Sequence, residues 1–295
     1  MLTVAGLAPV IAGLGVGWWL RRAGVATAES GRFLLLLNLY VCMPALVLRS
    51  LAEVDLTREM AVFPIAAAAM VVAGYIAGRV ASRRRDRSET AIVMMALMVV
   101  NAAFALPFVE AVYGAAGVAR LAAFDAVNSL LVLTFVHAIA ARSNPGHGGA
   151  PRPLLQVLAM PPLYATVVGV GLSLTGTALP SGVDSFAASF AAASPVLIAV
   201  GAGVLFRPTR ALLGPASRLA ATRIAVGALV AVALVLVLGL EGVDAGVLLL
   251  LGVAPVGFVT VTFAAKHDLD TELATQALAL SIALSCVLSI GLAVI

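Results

Sequence analysis

Two prolines and a few polar side chains set inside apolar stretches are the residues of this sequence that could do chemistry. Pro107 follows Asn101-Ala102-Ala103-Phe104-Ala105-Leu106, and Pro255 stands within Gly252-Val253-Ala254-Pro255-Val256-Gly257. A proline inside a helix removes one backbone donor and clashes with the carbonyl four residues earlier. In a bilayer the freed groups persist only where protein or water surrounds them. Helices interrupted at these prolines would present N-termini near the membrane midplane, and their unpaired N–H groups and positive dipole ends suit an anion. A simple kink is the alternative reading. On the first reading the N–H groups just past the prolines, at Phe108 and Val256, accept a carboxylate. Asn101 and Asn128 orient it, and Thr260 is a weaker candidate because threonine often bonds back to its own helix.

Ionisable side chains within apolar spans are functional candidates by default. Asp125 is either a coupling carboxylate or a rim residue paired with Arg120. Glu110, one turn after Pro107, carries the same ambiguity in the outer half of a path. His137 is either a proton relay or a histidine hydrogen-bonded near the cytoplasmic end. No Lys or Arg is expected at midplane depth, so backbone dipoles would supply the positive potential.

Enzymatic constellations are absent. There is no Gly-x-Ser-x-Gly, no His-Glu-x-x-His and no phosphate-binding Gly-x(4)-Gly-Lys-Ser/Thr loop. Neither an enzyme nor an ATP-driven pump is expected, and no cofactor or metal site. Cys42 and Cys286 fall in apolar segments and read as structural thiols.

The elements that must position these groups follow from composition. Of 295 residues, 62% are hydrophobic and 11% charged, against about 25% charged in soluble domains. A spanning helix takes roughly 20 apolar residues. Apolar runs at 2–20, 32–51, 60–80, 91–113, 121–141, 155–178, 185–206, 219–240, 246–265 and 273–295 meet that length without the alternation of barrel strands. The expected fold is an all-α integral membrane protein of ten transmembrane helices. Arg21 and Arg22 follow the first run rather than precede it, so that run reads as a retained helix and not a secretory signal.

Loop charges set the orientation. Fifteen of the 18 basic residues fall on one face if the runs alternate, leaving Arg49, Arg58 and Arg120 on the other. Lys and Arg collect on the cytoplasmic side, which puts both termini outside in a multi-pass protein of the cytoplasmic (inner) membrane. In this count Arg223 belongs to a cytoplasmic loop. The run Arg83-Arg84-Arg85-Asp86-Arg87 reads as a topology anchor, with a grip on anionic lipid head groups as the alternative. The net charge of +4 indicates no nucleic-acid partner, because no aromatic-interleaved basic patch accompanies it.

A turn-rich stretch over 143–153 divides the chain into 1–142 and 154–295, with five helices in each half. An odd number makes the second half begin on the opposite side of the membrane, so any similarity between the halves is an inverted repeat, as in many secondary transporters. Pro44 and Pro195, and Pro107 and Pro255, fall at corresponding places.

Asn101 to Pro107 with Glu110-Ala111-Val112-Tyr113-Gly114 resembles the Asn…Pro…Tyr-Gly stretch of the auxin efflux carrier family, which includes plant PIN exporters and bacterial permeases. Ala254-Pro255-Val256-Gly257, running to Phe263-Ala264-Ala265-Lys266-His267-Asp268, is similar to that family's ninth helix. Met160-Pro161-Pro162-Leu163 with Gly169, Gly171 and Leu179-Pro180 resembles its sixth, and Tyr40 to Pro44 its second. The resemblance implies a 5+5 inverted repeat in which broken helices 4 and 9 cross. Helices 1, 2, 6 and 7 would form a scaffold, and 3–5 with 8–10 a moving domain. The long cytosolic loop of many plant members is missing, as in bacterial relatives.

The function expected is secondary active transport of a small organic anion, a carboxylate or auxin-like molecule, by alternating access. The alternatives are a sodium-coupled symporter of bile-acid type and a non-transporting receptor on the same fold. The lipid bilayer is the surrounding partner, and homodimerisation is left open.

Overall fold

The computed structural model describes residues 8–52, 61–83, 86–143, 158–207 and 209–294. Residues 144–157, which contain most of the expected linker, lie outside the described residues, as do Arg58, Arg84 and Arg85. Every element among the described residues is helical. The chain runs through α1 (Ala8–Arg22), α2 (28–52), α3 (Val62–Ala81), α4 (Arg87–Met98), α5 (102–113) and α6 (115–142). It continues with α7 (Pro161–Thr175), α8 (Ser181–Leu205), α9 (Arg210–Leu238), α10 (Gly242–Gly252), α11 (Phe258–Lys266) and α12 (Thr271–Val294). Taking α4 with α5 and α10 with α11, these make ten apolar segments at the positions of the ten runs. Among the described residues, six stretches are long and apolar enough to cross a membrane on length and composition.

Local chemistry explains the ends and interruptions. Thr27 caps α2, its hydroxyl accepting from the Ser30 N–H while Ser30 accepts from the Thr27 N–H. Asp86 caps α4 by accepting from the Glu89 N–H at 2.7 Å. Pro161 and Pro162 begin α7, where a missing donor costs nothing. Within α2 a π-helical turn over Asn38–Cys42 leads into Pro44, a local widening that absorbs the lost donor. At Gly114 the backbone turns to φ 56°, a conformation L side chains rarely adopt. The expected loop over 114–120 is therefore a single glycine hinge between α5 and α6.

Burial divides the helices. Ala91 to Met98 of α4 are each 5% exposed or less, so α4 is apolar on every side and central. Leu229, Leu236 and Val237 of α9 are exposed, as a lipid-facing surface requires. Packing separates two groups. Helices α1, α2, α7 and α8 pack on one another, as do α3–α6 and α9–α12, and the groups touch each other sparingly.

Polar bridges mark the two ends of the bundle. At the arginine-poor end, Arg49 pairs with Asp184 at 2.9 Å and Arg120 with Asp244. At the arginine-rich end, Arg32 pairs with Asp268 at 2.8 Å and Lys266 donates to the Tyr40 hydroxyl.

Candidate functional site

The interruption between α4 and α5 falls at Val99-Val100-Asn101, with Val99 extended (φ −82°, ψ 120°). The position expected for it, Pro107, is instead inside α5 and half-buried. Two β-branched residues followed by an asparagine favour leaving the helix and restarting it, because Asn caps well whereas valine does not. Pro107 lies six residues beyond Asn101. Its neighbour Phe108 is buried within the same helix rather than at a free terminus. The second interruption does contain its proline: Val253 to Gly257 separate α10 from α11.

The two interruptions lie against each other. Asn101 Nδ2 donates to the Val256 carbonyl at 3.2 Å, while Asn101 Oδ1 accepts from the Phe104 N–H at 3.3 Å. One amide thus caps α5 and joins both breaks. A Cβ at Gly257 would run into the Val99 side chain, so glycine is needed for this approach. The Val256 N–H, expected to be free for a carboxylate, instead donates to Ser281 Oγ of α12 at 3.1 Å. The Val99 and Val100 carbonyls of the first break are also partnered. Asn128 Nδ2 donates to the Val100 carbonyl at 3.1 Å, and Arg223 Nε donates to the Val99 carbonyl at 3.3 Å.

Arg223 corrects the expectation of no cation at depth. It lies in the middle of α9, 1% exposed, and not in a loop. The apolar run began at 219, but α9 begins at Arg210, which carries Arg223 well inside. A Cβ at Gly227 would collide with both its guanidinium and the Gly252 carbonyl oxygen. The guanidinium thus sits where α4 and α10 both end, at the carbonyl-bearing negative poles of two half-helices. The opposite poles, at the starts of α5 and α11, are left for the cavity.

That cavity measures about 830 Å³, inside the ~300–1,000 Å³ range of small-molecule sites. Its walls come from both helix groups: Met43 to Leu51 of α2 and Ser194 and Pro195 of α8 on one side, α5, α6 and α11 on the other. Asn101 to Ala103 and Gly257 to Val259, the first residues of α5 and α11, line it. It reaches toward the arginine-poor end, where Glu110 and Gly114 border it.

Of the side chains singled out in the sequence, Asn101, Asn128, Asp125 and Glu110 line this cavity. Asp125 does not pair with Arg120, which Asp244 holds. It accepts instead from Asn128 Nδ2 at 2.8 Å and Ser129 Oγ at 3.1 Å. Asn128 Oδ1 is buried without a partner. Pro107, Phe108, Pro255, Val256 and Thr260 lie outside the lining. Thr260 is fully buried, its hydroxyl without a partner.

His137 is away from the site, fully buried between Phe263 (4.8 Å) and His267 (5.0 Å). Neither of its ring nitrogens has a hydrogen-bond partner, against the expectation of a hydrogen-bonded histidine. Residues missed in the sequence are Arg223, Ser129 and Ser194. An arginine inside a 29-residue helix is a legible signal only once the helix start is placed correctly. Among the described residues no cluster of His, Cys, Asp and Glu could hold a metal ion.

The model of the membrane transport protein family, which is auxin efflux carrier-like, matches this chain twice, over residues 3–149 and 150–292. A protein from Methanothermobacter thermautotrophicus described as an uncharacterized transporter is 25% identical over 283 residues, covering 92% of this chain and 91% of that protein. With interrupted helices meeting beside a cavity between two helix groups, and with the family match over nearly its whole length, this chain belongs to the membrane transport protein family, auxin efflux carrier-like membrane transporters rather than enzymes.

Proposed function

We propose that the protein is a secondary active transporter that moves a small organic anion, a monocarboxylate or dicarboxylate, across the cytoplasmic membrane by alternating access. The observation that carries this reading is the convergence of two helix starts, Asn101 to Ala103 and Gly257 to Val259, on one cavity between the two helix groups. N-terminal poles attract anions, each worth ~0.3–1 kcal/mol when exposed and up to ~2 kcal/mol when partly buried. Arg223 neutralises the opposing poles and adds a full positive charge behind Val99. The rest of the lining is largely apolar, which suits an organic rather than an inorganic anion.

On this reading α1, α2, α7 and α8 are the scaffold, and α3–α6 with α9–α12 move against it. The two halves form an inverted repeat whose broken helices cross where Asn101 meets Val256. Five apolar segments per half and the two family matches support that arrangement. The arginine-rich face is cytoplasmic and both termini are outside, so the cavity faces outward. Its arginine-rich end is closed by the Arg32–Asp268 and Lys266–Tyr40 contacts.

Purified protein in liposomes tests this reading. Vesicles preloaded with pyruvate or succinate should take up the same labelled anion by counterflow, with no exchange of labelled rubidium. Asn101→Ala, which removes both the α5 cap and the bridge to Val256, should cut the rate at least tenfold. Preference for the cation, or counterflow at the wild-type rate in the variant, would refute the assignment.

A further inference from the structure

Among the described residues, Asp125 is the one carboxylate held by side-chain donors in the wall of this cavity, and no basic side chain forms an ion pair with it. Its oxygens accept from the neutral donors Asn128 Nδ2 and Ser129 Oγ. Arg120, one turn earlier on α6, is engaged by Asp244 of α10 and by the Ala116 carbonyl. Arg223 of α9 lies behind the extended segment, its Nε donating to the Val99 carbonyl and its Nη2 buried without a partner. From α2 and α8 come Arg49 and Asp184, paired with each other. Glu110 of α5 borders the same cavity. Tyr75 of α3 packs against Phe135 with the rings tilted, Tyr164 of α7 donates to the Leu158 carbonyl, and α12 carries Cys286.

Charge balance in a low-dielectric site then limits what can happen when an anion enters. Glu110 is exposed at the mouth, where water screens it; among the buried groups, without substrate, Arg223 and an ionised Asp125 sum to zero. An added carboxylate would leave the site at minus one, beside a like charge, and an uncompensated buried charge is strongly disfavoured. One proton on Asp125 restores neutrality. It also converts the acceptor into a donor, since a protonated carboxyl has one O–H that can be given to a bound anion.

Building on the reading of this cavity as an anion site, we propose that Asp125 is the proton-binding group that couples transport, carrying one proton inward with each monovalent anion. The sequence of events is balanced. The Asp125 carboxylate takes a proton from water on the open side, and the neutral carboxyl and the anion bind together beside the starts of α5 and α11. The two helix groups then shift, and anion and proton leave on the other side, where the proton returns to water. Both the empty and the loaded carrier are neutral at the site, so neither crossing moves a net buried charge. Asn128 and Ser129 act as positioning residues for Asp125, and Val100 fixes Asn128 in turn.

The test uses the full chain in liposomes, with the membrane potential clamped at zero by potassium and valinomycin, labelled pyruvate outside and a pH dye inside. With the outer solution one pH unit more acidic, wild type should accumulate pyruvate about tenfold over its equilibrium level, as one proton per anion requires, and the lumen should acidify in step. Asp125→Asn should lose acid-driven accumulation and lumenal acidification, and any counterflow it retains should no longer depend on pH. Pyruvate binding to detergent-solubilised wild type should weaken with rising pH, and binding to the variant should not.

The outcomes separate the two readings. If wild type exchanges pyruvate but the acid gradient drives neither accumulation nor lumenal acidification, the coupling role is overturned while the anion site stands. The wild-type acidification decides this even if Asp125→Asn fails to fold. Acid-driven accumulation that survives in Asp125→Asn but is lost in Glu110→Gln would also overturn it. If wild type exchanges neither pyruvate nor succinate, the anion reading fails and the coupling proposal falls with it.

Discussion

The Nε of Arg223 donates to the Val99 carbonyl at 3.3 Å, across 124 residues of sequence. This contact places Arg223, the only buried arginine among the described residues, at the end of α4, beside the Gly252 carbonyl that ends α10. The last carbonyls of a helix have no partner within it. When two such ends meet in the core of a membrane protein, a single guanidinium with five donors can serve both. Arg223 therefore stabilises the break and sets the potential of the cavity on its other side.

Arg223→Gln should lower the thermal midpoint of the solubilised protein and weaken pyruvate binding at least tenfold. Removing a hydrogen bond from a charged donor costs roughly 1.5–3 kcal/mol, of which the affinity loss reads one part. Arg223→Lys keeps the charge but not the fork, so it should recover binding more fully than thermal stability. Isothermal calorimetry and thermal melts on the three proteins check this, and an unchanged dissociation constant in Arg223→Gln would remove the electrostatic role.

At the arginine-rich end, the scaffold helix α2 meets the other group through Arg32–Asp268 and Lys266–Tyr40. Both members of the Arg32–Asp268 pair are largely exposed, and such a pair contributes only ~0.2–1 kcal/mol. Breaking it should shift the balance between states without unfolding the protein. Asp268→Asn suits the position, whose φ of 53° asparagine tolerates. In the double variant with Lys266→Met, a cysteine at the arginine-rich end of α2 should react faster with a membrane-impermeant maleimide. Equal labelling rates in wild type and double variant would show that these contacts do not hold the end closed.

His267 lies just past α11 and is buried beside His137. Desolvation, helped by the nearby Lys266 and opposed by Asp268, lowers its pKa from 6.5 to about 4. The folded value is below the unfolded one, so the unfolded chain takes up a proton first as the solution becomes acidic. The stability that neutral His267 contributes is complete above about pH 6.5 and is lost as pH falls toward 4. Thermal midpoints between pH 7.5 and 4.5 should fall more steeply for wild type than for His267→Gln. Parallel curves would show that His267 does not carry this dependence.

Much of the architecture could be read from the chain alone. The ten apolar runs and the charge asymmetry are local properties, fixed by what a bilayer demands of each segment. Pro255 could be read the same way, because a proline with a glycine two residues on has few options inside a helix. Pro107 misled for the opposite reason. Pro107 stands six residues into α5 without ending it, and the break was decided upstream, where Val99 and Val100 find outside partners for their carbonyls. Those partners are Arg223 and Asn128, 124 and 28 residues away. Spacing along the chain carries no record of such pairings, just as it gave Asp125 a neighbour in Arg120 that Asp244 had already claimed. The sequence by itself determined which segments enter the membrane, since hydropathy acts residue by residue. Only the tertiary structure decided where the helices break and which charges meet, because an unpaired backbone group in that medium takes whichever donor the packing brings within reach.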